Sequence, residues 1–247
     1  MRTDLDQQRG KIRAHCNTGA REYWSALLLA CFLVLCSGWQ AEPAFSQQRT
    51  VTTDYRPRDG DVIFHTSASS QSQAIQDATE SRLTHVGLVF MHDGRWTVIE
   101  AVQPVRWTAL DEWTARGQEE FLVMRATSSV VSTPGWPAAL RDAAVLFLGR
   151  DYDLVFRWGD ERIYCSELVY LAFLNGLGIE LVVAETFGDL ELQVASVQSL
   201  ITRRAVNGIL PDERIVTPVR LTRSALLVPV FSNYEGFPAE WGPFGWL

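Results

Sequence analysis

Two β-rich runs, Val86-Gly87-Leu88-Val89-Phe90 and Trp96-Thr97-Val98-Ile99-Glu100-Ala101-Val102, flank His92-Asp93-Gly94-Arg95. An Asp-Gly pair between such runs is the strongest short-range signal of a β-hairpin. The turn sets the register whether its loop has two residues or four. His92 pairs with Arg95, and counting back sets Gly87 against Glu100. Side chains alternate along a strand, so His85, Gly87 and Glu100 share one face. His85 and Glu100 become diagonal neighbours, about 7–8 Å apart at the backbone and within reach through their side chains. Gly87 places no side chain between them. A carboxylate so placed can fix the imidazole tautomer and stabilise the imidazolium. The opposite face carries Val86, Leu88, Phe90 and Ile99, an apolar layer suited to a core. On the hairpin alone, a solvated His beside a solvated Glu accounts for the pair equally simply.

A thiol elsewhere in the chain changes that balance. The sequence has 4 Cys. Cys16, Cys31 and Cys36 lie in or before an apolar N-terminal stretch, which leaves Cys165 without an intramolecular disulfide partner in an exported form. Cys165 falls where the irregular Gly159-Asp160-Glu161-Arg162 gives way to an apolar helix over 165–175. At a helix N-terminus the macrodipole lowers a thiol pKa, and a nearby His can hold the thiolate as an ion pair. The Cys165 N–H is there free to bind an oxyanion. The competing role is a small buried helical Cys.

The N-terminal stretch reads as an export signal. Arg2, Lys11, Arg13 and Arg21 precede an apolar run within residues 23–39 that is short for a membrane span of about 20 residues. Ala44-Phe45-Ser46 offers small residues where a signal peptidase would read, so cleavage is expected after Ser46. The alternatives are lipidation at Cys36, where Leu35 is bulky for that signal, and an uncleaved anchor with membrane association. Each puts residues 47–247, read as one catalytic domain, outside the cytoplasm in a periplasmic or other extracytoplasmic space.

Within that region the elements come in blocks. A strand is expected at Val62-Ile63-Phe64, a polar helix over 72–79, and a capping box at Thr108-Ala109-Leu110-Asp111 opening a short helix through Trp113. Phe121-Leu122-Val123-Met124-Arg125 reads as a strand, residues 137–148 as a helix ending at Gly149, and Asn175-Gly176 as the stop of the Cys165 helix. Val216-Thr217-Pro218-Val219 and Leu226-Leu227-Val228-Pro229-Val230 read as late strands. Phe237, Trp241, Phe244 and Trp246 are expected to pack back onto the domain. Segregated strands and helices favour an α+β fold with an antiparallel sheet. With 47% hydrophobic residues, 9 Trp and 12 Phe, the chain can fill one sizeable core. A net charge of -7 and no dense basic block exclude nucleic acid as an expected partner. No Cys, His and Asp grouping has metal-ligand spacing, so neither metal nor cofactor is expected. His65, after the first strand, and His92, in the turn, are expected to be solvated.

These residues together resemble the YiiX/YaeF-type permuted papain-like amidases, a circularly permuted branch of the NlpC/P60 cysteine peptidases. The matching pieces are Gly60-Asp61-Val62-Ile63-Phe64, Ser81-Arg82-Leu83-Thr84-His85-Val86-Gly87-Leu88-Val89, Val98-Ile99-Glu100-Ala101-Val102 and Tyr164-Cys165-Ser166-Glu167-Leu168-Val169-Tyr170. They keep the permuted order, His before Cys. Asp151-Tyr152-Asp153 and Phe156-Arg157-Trp158 also look like that family. The likeness covers residues 56–175 well and the C-terminal third poorly.

The resemblance implies a papain-like core in which a helix presents Cys165 against a small antiparallel sheet carrying His85. It implies Cys165 as nucleophile, His85 as general base and then acid, and Glu100 as the residue orienting His85. Tyr164 can line the pocket, donate to the oxyanion or simply pack. Ser166 and Glu167 can face the site or sit in the first helical turn, and Asp153 and Trp158 can shape the pocket or belong to core or surface. The expected activity is an exported amidase or peptidase acting on a cell-wall peptide, a small amide or a lipid-linked amide. The same thioester in a lecithin:retinol acyltransferase-like acyltransferase or phospholipase is the alternative, as is a non-catalytic binding protein on the same fold.

Overall fold

The hairpin forms in the register its turn dictates. A computed structural model describes residues 55–235 except 70, 160, 206 and 207. The export segment 1–46 and the tail aromatics Phe237, Trp241, Phe244 and Trp246 lie outside the described residues. Asp93 and Gly94 both take positive φ, 49° and 76°, and His92 pairs with Arg95, Val89 with Val98 and Leu88 with Ile99.

Six strands make one antiparallel sheet. They are β1 (Asp61–His65), β2 (His85–His92), β3 (Arg95–Glu100), β4 (Arg106–Ala109), β5 (Leu122–Ala126) and β6 (Leu227–Ser232). Their order across the sheet is β6-β5-β1-β2-β3-β4. The helices that matter here are α1 (Ser72–Thr79), α2 (Leu110–Arg116), α3 (Trp136–Val145), α4 (Cys165–Leu177), α5 (Ala195–Arg204) and α6 (Pro218–Thr222). This is the α+β architecture that the block pattern implies.

Period-two alternation sorts the strand residues onto two cores. Val62, Phe64, Val86, Leu88, Phe90 and Ile99 pack into the larger one, with Leu140 of α3 and Leu168 and Phe173 of α4. α4 is apolar on most of its circumference, with every residue from Cys165 to Tyr170 buried, as a central helix should be. Ile63, Val89, Val98 and Val123 face the other way, under Trp113 and Phe121. Full burial of each such side chain contributes about 1.5–3 kcal/mol.

Several elements differ from the sequence reading, each for a local reason. Thr108 does not cap a helix: it lies in β4, its hydroxyl donates to Glu100 Oε1 at 2.6 Å, and α2 starts after Ala109 and runs to Arg116. Asn175-Gly176 does not stop α4, which continues to Leu177 and ends on Gly178 at φ 68°. Gly176 lies within the helix because α3 approaches it there; a Cβ would sit 2.6 Å from the Ala139 carbonyl oxygen. The helix over 137–148 is shorter, ending at Val145 before the turn to Gly149. Val216-Thr217-Pro218-Val219 is not a strand. Thr217 is an N-cap whose hydroxyl accepts from the Arg220 N–H, and Pro218 opens α6, the position where its missing N–H costs nothing.

Candidate active site

The N-terminus of α4 reaches the first residue of β2. Tyr164 is the extended N-cap residue and Cys165 the first helical one. The Cys165 sulfur lies beside the His85 ring and the backbone N–H groups of Val86 and Ser166, all of which favour its charged form. On the far side of that ring, Nε2 lies 2.6 Å from Glu100 Oε2. Nε2 therefore carries a proton, and Nδ1 is the nitrogen turned to the thiol. The diagonal His85–Glu100 contact expected from the hairpin register is thus made. Gly87, between them, has no room for a side chain: a Cβ would sit 2.4 Å from Val98 Cγ1 and 2.9 Å from the Ile99 carbonyl oxygen.

Neither member of the pair is solvated. Glu100 is 0% exposed and His85 7%. An isolated buried carboxylate would be very costly, and Glu100 is instead surrounded by donors. Besides His85, it accepts from Thr108 Oγ1 at 2.6 Å, from Trp113 Nε1 at 2.9 Å and from the Arg116 guanidinium. Burial pushes its pKa up, but the His85 hydrogen bond and charge, Arg116 and Thr108 overcome that and hold it down at about 2. Burial likewise opposes charge on His85 and Cys165. The contacts they make prevail, so the imidazole is held above its ordinary value by Cys165 and Glu100, and the thiol below its own by His85. The arrangement favours a thiolate–imidazolium pair, the reactive form of a cysteine nucleophile.

His65 corrects an expectation of solvent exposure. It is 2% exposed, pairs across the sheet with His85, and stacks on Trp113 at a centroid distance of 4.0 Å. Burial, then the charges of His85 and Arg116, push its pKa down to about 2. It is a neutral wall beside a charged ring. His92 ends β2, half-buried against the Trp107 face at 4.5 Å.

The remaining residues singled out from sequence sit around the thiol in different roles. Tyr164 is 1% exposed, and its hydroxyl accepts from the Val216 N–H at 3.1 Å. The Ser166 hydroxyl donates to the Val216 carbonyl at 2.7 Å, so only its backbone N–H addresses the sulfur. Asp153 accepts from the N–H groups of Val155 and Arg157, at 2.8 and 2.7 Å, and shapes the loop ahead of α4. Trp158 packs edge-on against Tyr170, with the Arg214 guanidinium 4.7 Å from its ring centre. Glu167 is buried and accepts from the Gly159 and Tyr164 N–H groups.

Sequence reasoning did not single out Tyr152. Its hydroxyl accepts from Gln71 Nε2 at 3.4 Å and lies beside the Cys165 sulfur; burial, then the nearby thiolate, raise its pKa well above the ordinary value. It remains a proton donor beside the thiol. Thr108, Trp113 and Arg116 were missed as well. A Trp and an Arg three residues apart on a short helix, with a Thr two residues before it, carry a signal only once that helix is known to cover the hairpin.

Two separate cavities have a member of the thiol–imidazole pair on their walls. One is narrow, with Cys165 on its wall. The other is an open cleft, with His85 and Tyr152 on its wall. Among the described residues no group of three His, Cys, Asp or Glu side chains is placed to hold a metal ion, and no helix is long and apolar enough to cross a membrane.

With this geometry in view, comparison with known proteins gives a consistent result. A protein identified as "Uncharacterized protein YiiX", from Escherichia coli strain K12, is 32% identical over 214 residues, 87% of this chain and 98% of that protein. A crystal structure described as that of the metalloprotein yiiX from Escherichia coli O157:H7 superposes with a TM-score of 0.68 at 34% identity, covering 73% of this chain and 99% of the other. Residues 56–230 match the family described as "Permuted papain-like amidase enzyme, YaeF/YiiX, C92 family", and the chain belongs to that family.

Proposed function

We propose that this protein is an exported cysteine amidase that works through an acyl-enzyme on Cys165, with His85 as acid and base and Glu100 as the positioning residue for His85. The observation that carries the proposal is the buried Cys165–His85–Glu100 relay at a helix N-terminus, in which every charge has a partner. In this mechanism the Cys165 thiolate attacks the amide carbonyl carbon and a C–S bond forms. The Cys165 N–H and the Tyr152 O–H stabilise the oxyanion. The His85 imidazolium passes its Nδ1 proton to the leaving nitrogen, the C–N bond breaks and the amine departs. Water then attacks the thioester and gives a proton to Nδ1, the C–S bond breaks, and the carboxylic acid leaves. Glu100 stays ionised throughout, holding the Nε2 proton and so the ring orientation.

The test is amide hydrolysis by the purified protein on a panel of acyl and peptidyl amides, compared with Cys165→Ser. Wild type is expected to release amine at least about 10³ times faster than the variant. Iodoacetamide is expected to alkylate Cys165 at pH 6 faster than it alkylates glutathione, because the thiolate is already formed. Equal hydrolysis by the Ser variant would remove Cys165 from the mechanism.

A further inference from the structure

Resting on the acyl-enzyme chemistry of the amidase reading, we propose that Gln71 and Arg204 are positioning residues that aim the Tyr152 O–H at the reacting carbonyl oxygen, as Glu100 aims the His85 ring. A tyrosine hydroxyl has one proton to give and can also accept. It serves an oxyanion only if that proton is turned to the oxyanion, so a neighbour that donates to the hydroxyl oxygen helps and one that accepts from it competes.

The hydrogen bonds of Gln71 supply such a donor. The Arg204 guanidinium, at the end of α5, donates to Gln71 Oε1. A guanidinium has donors only, so the amide can turn only its oxygen to Arg204. The amide orientation, open in most side chains of this kind, is here set by chemistry. It leaves the NH₂ group for Tyr152, whose oxygen accepts from Nε2 at 3.4 Å. The hydroxyl proton is then left for the side where Cys165 lies. Gln71 is also the N-cap residue of α1, yet its side chain makes no capping hydrogen bond. Ser, Thr, Asp or Asn would cap there; the longer amide is turned instead to Tyr152 and Arg204.

The rest of Tyr152 is held by separate contacts. It pairs with Ile163, two residues ahead of Cys165, and its N–H donates to Gln103 Oε1 at 2.7 Å. Its ring meets that of Phe156 edge-on at 6.3 Å between centres, and Phe156 meets Tyr164 edge-on at 5.7 Å. Phe156 has φ 59°, a left-handed conformation that a bulky residue takes only where its surroundings impose it. Asp153 imposes it by accepting from the N–H groups on either side, of Val155 and Arg157. A phenylalanine in place of Tyr152 would keep the ring and backbone contacts. The Gln71–Arg204 pair therefore serves the hydroxyl.

The experiment compares two reactions of Cys165 in the full chain. With p-nitrophenyl acetate the thiolate attacks the ester carbonyl carbon, an oxyanion forms, the C–O bond breaks and p-nitrophenolate leaves, with the acetyl group on sulfur. With iodoacetamide the thiolate displaces iodide from a methylene carbon and no oxyanion forms. Acylation is read from the p-nitrophenolate burst after subtracting that of Cys165→Ala, and alkylation from its plateau rate at high pH. Tyr152→Phe is expected to slow acylation at least about tenfold, less than the roughly 10²–10³-fold cost of an oxyanion donor in amide cleavage because the ester is activated. Gln71→Leu is expected to slow it about fivefold, and Arg204→Leu, which frees the amide to turn over, about threefold. Gln71→Glu keeps the Arg204 contact but offers Tyr152 only an acceptor, so it is expected to slow acylation as much as Tyr152→Phe does. Adding Gln71→Leu to Tyr152→Phe is expected to change acylation by less than about twofold. Alkylation is expected to stay at the wild-type plateau throughout.

Wild-type acylation in Gln71→Glu overturns the assignment, as does a Gln71→Leu effect that persists in full on Tyr152→Phe. An equal fall in alkylation also overturns it, since a merely structural role would slow both reactions. Gln71→Glu is nearly isosteric and decides the matter even if a Leu variant fails to fold. Wild type that the ester acylates but that releases no amine from any amide overturns the amidase reading and leaves the positioning roles standing. Wild type that the ester does not acylate at Cys165 overturns both.

Discussion

At the residue scale, the device that makes the site is the neutralisation of Glu100. A buried carboxylate between an imidazole and a guanidinium needs all its lone pairs used, and Thr108, Trp113 and Arg116 use those that His85 leaves. Glu100→Gln removes the charge while keeping the shape. Its amide cannot accept from both Arg116 and His85 at full strength, and its NH₂ must face one of the donors. The expected outcome is a loss of about 10²–10⁴-fold in kcat/KM, read from steady-state kinetics on the best amide substrate. A stability loss of about 1–3 kcal/mol is expected from the unpaired donors, read from urea unfolding. The His85–Glu100 contact was legible because one turn dipeptide sets the register of its own hairpin. The other three partners were not, because they arrive from β4 and α2, whose placement over the hairpin is a tertiary fact. His65 was misjudged for the same reason: nothing in a single strand says that it will pair with His85.

At the scale of elements, α4 carries both the thiol and the centre of the larger core. Its N-terminus was legible from the change of Gly159-Asp160-Glu161-Arg162 into an apolar run. Its end was misplaced because Gly176 has two physical uses, stopping a helix or letting another helix approach, and only the neighbour α3 distinguishes them. Thr217-Pro218 held the opposite ambiguity, since an N-cap followed by Pro at N1 was outweighed by flanking valines that look like strand. The close approach of α3 to Gly176 makes a prediction. Gly176→Leu gains about 0.8–1 kcal/mol of helix propensity but sets a Cβ against a backbone carbonyl that has no rotamer to escape by. Overpacking of that kind costs about 1–3 kcal/mol, and the larger branched side chain puts the cost at the upper end. The net expectation is a lower urea midpoint with an unchanged slope. An unchanged or higher midpoint would show that α3 yields freely.

At the scale of the whole molecule, buried ionisable groups pull the pH dependence of stability in opposite directions, and Glu167 is the one that can be isolated. Its carboxyl is 0% exposed. Burial raises its pKa to about 8, against the opposing N–H groups of Gly159 and Tyr164, with Asp153 adding to the rise. A folded value above the unfolded value of 4.5 means that the native state binds the proton more tightly. The resulting stability is fully present below pH 4.5 and is lost as pH rises through about 8. Glu100 runs the other way: its depressed value of about 2 contributes stability above pH 4.5 that disappears as pH falls toward 2. His65 is a base held neutral in the fold, so it also costs stability as pH falls below its ordinary 6.5. Glu167→Gln removes only the first of these, because a Gln side chain keeps one carbonyl oxygen as the protonated acid does. The unfolding free energy of the variant minus that of wild type is therefore expected to rise with pH. Between the unfolded and folded values the slope is up to about 1.4 kcal/mol per pH unit, and the difference should be near zero at pH 4. Urea unfolding of both proteins at half-unit steps from pH 4 to 8.5 measures it. A difference flat across that range would mean that Glu167 is ionised in the fold and that its two backbone donors, at 3.3 and 3.4 Å, outweigh its burial.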